Sequence, residues 1–441
     1  MAKDTIILSL NCGSSSVKYQ LYNWTKQEIM AKGLVERVTM GGSVIIHEVP
    51  HREPVKLESD CPDHQVAIQI ILETLLHENH PVISDVSQIS GVGHRVVHGG
   101  EHFAKSVLIN DQVIATFEEL VSLAPLHNPP NVLGIRAAQA IMPDVPHVAV
   151  LDTAFHQTMP KTSYLYAVPY EWYDKYAVRR YGFHGTSHLY VARRAAVMLK
   201  KDPFQVNLIT CHLGNGVSLA AIKNGCSYDT SMGITTLEGL VMGTRSGDVD
   251  PSLMPYMCAK ENKTAREIEN ILLKKSGLLG ITGKYTDRRD IEHAMEAGDE
   301  RSRLAFDIEA YRLKKYIGTY YAALGHLDAV VFTGGAGELG LLLREAALTG
   351  MEELGMVLDP ELNKKARSRN HEFDISAKES RIKLFVIPTD EELVFTEDVV
   401  AIIEGRYDVH TKFKYVFEDQ SYVNKMRDEA YQREIAKKKK G

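Results

Sequence analysis

TIILSLNCGSSSVKYQLYN, residues 5–23, decides the fold. An apolar strand runs into a Gly-Ser turn, and an alternating strand runs out of it. Backbone N–H groups and hydroxyls in such a turn make a nest for anionic oxygens. Asn11, Ser14, Ser16 and Lys18 are its polar members. A Walker loop would need GxxxxGK and a hydroxyl residue opening a helix. Here the chain returns as a strand, so the phosphate loop is a hairpin. VNLITCHLGNGVSLAAIKNG, residues 206–225, repeats the design, with His212, Gly214, Asn215 and Gly216 at its turn. Two such hairpins far apart in one chain predict a duplicated two-domain fold that closes on a nucleotide from either side.

That arrangement resembles the superfamily of sugar kinases, heat-shock ATPases and actin. The length of 441 residues allows about two or three domains and a substantial core. Hydrophobic residues at 44% and charged residues at 24% are ordinary globular values. A net charge of -6 argues against a nucleic-acid surface. The cysteines at 12, 61, 211, 226 and 258 show neither a CxxC pair nor zinc spacing. Their odd number, with no signal-peptide pattern, predicts a reducing cytoplasm. No apolar run approaches the roughly 20 residues of a membrane span.

Strand-like and helix-like segments alternate, which predicts an α/β architecture. Strands are expected at 5–10, 17–22, 44–49, 147–151, 206–211, 217–222, 329–333 and 383–387. Helical periodicity is clearest at 65–77, 130–141, 188–199, 265–275 and 301–324, the last ending at Gly325. The expected organisation is an N-terminal domain over 1–156, rejoined by a helix at about 390–405. A nucleotide-binding domain spans 157–389, and a charged extension spans 406–441. In that tail Tyr422, Val423, Met426 and Ala430 could form a short helical stripe. Its composition predicts a solvated extension docked weakly on the body, although a basic run can also mark a partner surface.

DTSMGITTLEGLVMGTRSGDVDP, residues 229–251, sets Arg245 between glycines with hydroxyl and carboxylate neighbours. Glycine lets such a loop wrap a ligand, and arginine presents a planar fork suited to carboxylate or phosphate. GHRVVHGG supplies Arg95, a second candidate for gripping an anion. PLHNPPN puts His127 and Asn128 on a proline-stiffened loop. LDTAFH ends an apolar strand with Asp152, a favoured ligand position. RRYGFHGTSH adds His184, Ser187 and His188 around a glycine turn. FTGGAGELG, with Gly335 and Gly337, follows a strand and precedes a helix. IPTDEELVF places Glu391 and Glu392 at a helix start, where acids suit the dipole or hold Mg²⁺. Each has a plain alternative: a surface arginine, a structural histidine, a capping aspartate or serine.

Together these motifs resemble the acetate kinase family, in the family's order and at similar spacing, from Thr5 to about Gly405. The resemblance implies two actin-like (ribonuclease H-like) domains, a homodimer, and Mg²⁺-dependent reversible phosphoryl transfer between ATP and acetate, Mn²⁺ being a possible substitute. It implies that Arg95 and Arg245 hold substrate and the in-flight phosphoryl group, with Asp152 on the metal and acetate side. His184 would stabilise the transferring group and His127 support it. Asn11, Ser14, Ser16 and Lys18 would handle phosphate, as would the hairpin at His212–Gly216. Asn11 and Glu391 would engage the metal. Asp287 and Arg289 would contact ribose and adenine beside Gly335 and Gly337. Val97 and Pro251 are the expected walls of the acyl pocket.

The chain departs from the family at the adenine loop, where Ala336 and Leu339 replace isoleucine and asparagine. Thr236 stands where TPLEG has its proline, and Arg288 where a smaller or apolar residue is common. Those changes put the nucleotide pocket in doubt and leave another phosphoryl donor, such as pyrophosphate, open. Propionate is the rival acceptor, because one methylene changes selectivity by only about 1–3 kcal/mol. An actin-like or chaperone ATPase without an acceptor is the rival from another class, and two anion-gripping arginines argue against it.

Overall fold

The computed structural model describes residues 3–77, 81–125 and 127–438. The chain forms two compact units. The first takes Met1–Gln157 and Asp390–Tyr415, the second Thr158–Thr389 and Val416–Gly441. Rather than standing as a separate extension, residues 406–415 belong to the first unit and the rest of the tail to the second.

The first unit is built on strands β1 (Ile6–Cys12), β2 (Ser16–Asn23), β3 (Glu28–Glu36), β4 (Val44–Glu48), β5 (Val55–Glu58), β6 (Ile89–Val96), β7 (Val107–Leu108) and β8 (His147–Leu151). Their order across the sheet is β5-β4-β3-β2-β1-β6-β8-β7. β1 pairs antiparallel with β2 and parallel with β6. Alternation along β1 feeds two cores. Ile6, Leu8 and Leu10 join a cluster with Ala67, Ile68 and Ala138, from helices His64–Leu76 and Asn128–Ile141. Ile7 joins Phe395, Val399 and Val400 of helix Glu391–Ile403 on the opposite face. That helix lies so close to β6 that a Cβ on Gly91 would stand 2.4 Å from Ile403, and one on Gly93 2.9 Å from Val399.

The second unit repeats the pattern with β9 (Leu208–Leu213), β10 (Val217–Lys223), β11 (Cys226–Thr230), β12 (Ala329–Thr333), β13 (Phe373–Asp374) and β14 (Lys383–Val386). The order is β11-β10-β9-β12-β14-β13. Again the first strand pairs antiparallel with the second and parallel with a later one, here β12. Every residue of β9 is buried, as befits a strand covered on both faces. Helices Gly185–Leu199 and Glu300–Leu324 pack against it. Asp299 caps the long helix and Gly325, at φ 72, ends it as expected.

Most expected segments form, with small shifts at their ends. β6 was not expected as a strand, because ISGVGHRV carries two glycines and a histidine instead of an alternating branched pattern.

The tail differs more. Phe413, Tyr415 and Phe417 are buried, so the weakly docked, solvated segment expected from composition does not form there. Within the first unit, the Ser106, Tyr415 and Tyr407 hydroxyls donate to the buried Asp398 carboxyl at 2.6, 2.9 and 3.3 Å. Within the second, Arg194 donates to the Phe417 carbonyl at 2.8 Å, and buried Arg193 and Glu418 lie 3.3 Å apart. Helix Lys425–Lys438 starts beyond Tyr422 and Val423, which therefore belong to no helical stripe, and Val423 is exposed.

Candidate active site

In the first unit the β1–β2 turn is closed by the Gly13 N–H, which donates to the Ser16 carbonyl at 2.8 Å. Asn11 and Lys18 face each other across the antiparallel pair. Ser14 lies exposed at the tip and Ser16 opens β2. Asn11, Lys18, Arg95, Glu391 and Glu392 line one cavity of about 530 Å³.

Arg95 sits on the interior strand β6, and Asp152 directly follows β8 beside it. Arg95 Nε donates to Asp152 Oδ1 at 2.8 Å, and Nη2 donates to Oδ2 at 2.7 Å. Glu391 Oε2 is 4.0 Å from the same Nη2. Burial pulls the guanidinium's pKa down, but Asp152, then Glu391 and Glu392, outweigh it and leave it above arginine's usual value. The planar carboxylate thus sets the direction of the fork.

Asn131, which the sequence reading passed over in PLHNPPN, ties this region together. Its amide donates to the Cys12 carbonyl at 2.8 Å and accepts from the Val97 N–H at 3.1 Å. Asn128 donates to the His98 carbonyl, and half-buried His127 stands at the helix start. Val97 is half-buried just past β6.

In the second unit His184 takes a left-handed backbone, φ 58, at the head of helix Gly185–Leu199. Such a conformation is strained for a non-glycine residue and collects at functional sites. Its ring stacks on His212 with centroids 4.2 Å apart. His188 is fully buried one turn into the helix.

Gly216 in the second hairpin lies where a side chain would crowd its neighbours. A Cβ there would meet Arg245 Nη1 at 3.3 Å and the His184 ring at 3.4 Å. Gly216, His184 and Arg245 therefore converge on one point. The Gly243 N–H donates to the Asn215 carbonyl at 3.1 Å, so the MGTRSG loop is bonded to the hairpin. Burial lowers the Arg245 pKa. Among the described residues no carboxylate forms an ion pair with Arg245, a desolvated cation of the kind that suits an anionic ligand.

Asp287 and Arg289 form a bidentate pair on the surface, which holds the Asp287 carboxyl down to about 2. Asp287 also caps the following helix. Arg288, expected to disturb the nucleotide pocket, is instead engaged by the protein. It donates to Glu309 at 2.6 Å and to the Gly214 carbonyl at 2.8 Å. Gly335 and Gly337 lie inside a helix, Gly334–Leu339, where a loop before a helix was expected; Ala336 and Leu339 favour that state. Buried Glu338 accepts from the Gly334 and Thr389 N–H groups. Pro251 is exposed.

Among the described residues there is no group of three or more His, Cys, Asp and Glu that could hold a metal, and no helix is long and apolar enough to cross a membrane. The oxygen donors lining the first unit's cavity include Glu391, Glu392 and Asn11. That set fits Mg²⁺, which binds through one or two carboxylates and completes its shell with water and substrate phosphate.

The acetokinase family pattern matches residues 6–397. The chain is 62% identical over 421 residues to the acetate kinase of Geobacter sulfurreducens, covering 95% of this chain and 100% of that protein. Among solved structures, Porphyromonas gingivalis acetate kinase aligns with a TM-score of 0.87 at 47% identity, over 90% of this chain and 100% of the other. A propionate kinase from Francisella tularensis gives 0.83 at 40% identity, over 90% and 99%. Both units therefore carry the duplicated actin-like fold. This chain, an enzyme by descent, belongs to the acetokinase family.

Proposed function

We propose that this protein is an acetate kinase that transfers the γ-phosphoryl group of ATP to acetate, reversibly and by direct in-line displacement. An acetate oxygen forms the new P–O bond as the bond to the bridging β–γ oxygen breaks, and ADP leaves with that electron pair. A carboxylate is already a nucleophile at neutral pH, so no strong base is required. The barrier lies in bringing anions together, and positioning with charge stabilisation is what such a reaction needs.

One observation carries the reading: Arg245 is desolvated without a carboxylate partner and converges with His184 on Gly216. Arg245 and His184 would receive the charge of the transferring group. Arg95, aimed by Asp152, would orient acetate and phosphoryl oxygens. The hairpins Asn11–Lys18 and His212–Gly216 would hold the nucleotide phosphates, with Asp287, Arg289 and the segment at Gly335 and Gly337 towards the nucleoside. His127 would support the acceptor side, and Val97 and Pro251 would wall the acyl group. Glu391 and Asn11 would hold Mg²⁺, or Mn²⁺ in its place, which would neutralise phosphate charge when bound.

The likeness to a propionate kinase favours propionate as a second acceptor. We also assign the protein to the cytoplasm, in keeping with its five free cysteines. A homodimer is supported by the exposed Val168, Tyr170, Trp172 and Tyr176, close together in one short segment. No nucleic-acid or membrane partner is proposed.

The test is acyl phosphate formation with Mg²⁺, crossing acetate and propionate with ATP and pyrophosphate. Acetate and ATP should give the highest kcat/KM. Product with pyrophosphate alone would overturn the donor, and a preference for propionate would overturn the acceptor.

A further inference from the structure

The histidines of the second unit are joined in one buried line. Thr210 on β9, His188 and Ser218 on β10 are each fully buried. Thr210 Oγ1 lies 2.7 Å from His188 Nδ1, and His188 Nε2 lies 2.8 Å from Ser218 Oγ. The same Ser218 Oγ lies 2.8 Å from His184 Nδ1.

A hydroxyl brings one proton, and each nitrogen of a neutral imidazole is either donor or acceptor. With neutral rings, the line has only two consistent arrangements, and each reverses every bond of the other. The far end decides between them. Among the described residues, His188 Nδ1 is the partner of the Thr210 hydroxyl. A buried hydroxyl proton needs an acceptor, so Thr210 donates. His188 then carries its proton on Nε2 and donates to Ser218, and Ser218 donates to His184 Nδ1.

We infer that Thr210, His188 and Ser218 are positioning residues that hold His184 as the Nε2–H tautomer, with that N–H turned towards the point where Gly216 and Arg245 meet. The opposite tautomer would present a lone pair there, which repels an anionic oxygen. A neutral ring held this way donates to a phosphoryl oxygen without first being protonated. The functional half of the inference rests on the reading of His184 as a group that touches the transferring phosphoryl.

The experiment uses full-length protein labelled with ¹⁵N in its histidine rings, and long-range ¹H–¹⁵N correlation reads each tautomer. His184→Gln identifies the His184 signals by their loss. The wild type should show His184 as Nε2–H. Thr210→Val removes the terminal donor at nearly constant volume. It should mix the His184 tautomers and lower kcat roughly tenfold, the worth of about one hydrogen bond, while KM for ATP and acetate stays within about twofold. Thr210→Ser should restore both readouts. A wild-type His184 in the Nδ1–H form would overturn the inference, as would an unchanged tautomer and kcat in Thr210→Val. If Thr210→Val does not fold, the wild-type and Thr210→Ser spectra still decide. Full turnover in His184→Gln would sink the phosphoryl role instead, and the spectrum would judge the hydrogen-bond line by itself.

Discussion

The two hairpins use the same backbone device and surround it with opposite chemistry. At β1–β2 the nearby cation, Arg95, is neutralised by Asp152 and flanked by Glu391 and Glu392. At β9–β10 the cation, Arg245, donates to the Thr236 carbonyl and the Met242 thioether and pairs with no carboxylate among the described residues, beside stacked histidines. Side chains from elsewhere in each unit also hold hairpin carbonyls: Cys12 by Asn131 and Gly13 by His64 in the first, Gly214 by Arg288 in the second. The duplicated strand order supplies a turn that presents N–H groups, and the residues around the turn decide whether the site suits a cation or an anion.

The sharpest way to break that contrast is to remove each arginine. Arg245→Ala should lower kcat by roughly 10³-fold or more with melting temperature unchanged or raised, since an unpaired buried charge is lost. Arg95→Ala should lose comparable activity but also destabilise by about 3 kcal/mol, because Asp152 is left buried and unpaired. Steady-state kinetics and urea unfolding of both variants check this; equal stability losses would erase the distinction.

Alanine at the turn glycines gives a second contrast. At Gly216 the new methyl crowds Arg245 and His184, and kcat should fall roughly tenfold or more. At Gly13 the nearest atoms would be 3.5 and 3.6 Å away, ordinary contact, and activity should stay within about twofold.

Loss of the carbonyl anchor at the second hairpin should be milder. Arg288→Met should raise KM for ATP several-fold through the freed Gly214 and the unpaired Glu309, with KM for acetate unmoved in the same assay.

The smallest effect concerns pH. Burial pushes the Asp398 carboxyl up to about 7, above the roughly 3.9 of an unfolded aspartate. The native state keeps that proton between those values, so this group's contribution to stability falls as pH rises from about 4 to about 7. Asp398→Asn should flatten that part of the melting-temperature profile, and Tyr415→Phe should cost about 1 kcal/mol. A profile identical to wild type would exclude Asp398 as its source.

Both hairpins were legible in the sequence because a strand–glycine turn–strand pattern is local. Helices such as Asn128–Ile141 and Glu300–Leu324 were legible through their period. Arg95, Asp152, Arg245 and His184 stood out because charge and glycine are rare together in a core. What escaped depended on distance in the chain. Thr210 and Ser218 look like ordinary members of apolar strands, and only the approach of helix Gly185–Leu199 makes them polar partners. Asn131 looks like a helix residue until Cys12 arrives beneath it. Phe413, Tyr415 and Phe417 sit in a charge-dense tail whose average hides three buried rings.

Helix Glu391–Ile403 has a consequence for synthesis on the ribosome. It fills the glycine-lined face of β6, yet it is translated after the whole second sheet. Residues up to Gln157 emerge first, at the usual pace of about 5–20 residues per second, and wait with that face of the sheet uncovered. The second unit completes its sheet earlier than the first can close. In the nascent chain, the N-terminal sheet is therefore the later of the two to be covered and the part with most need of a chaperone.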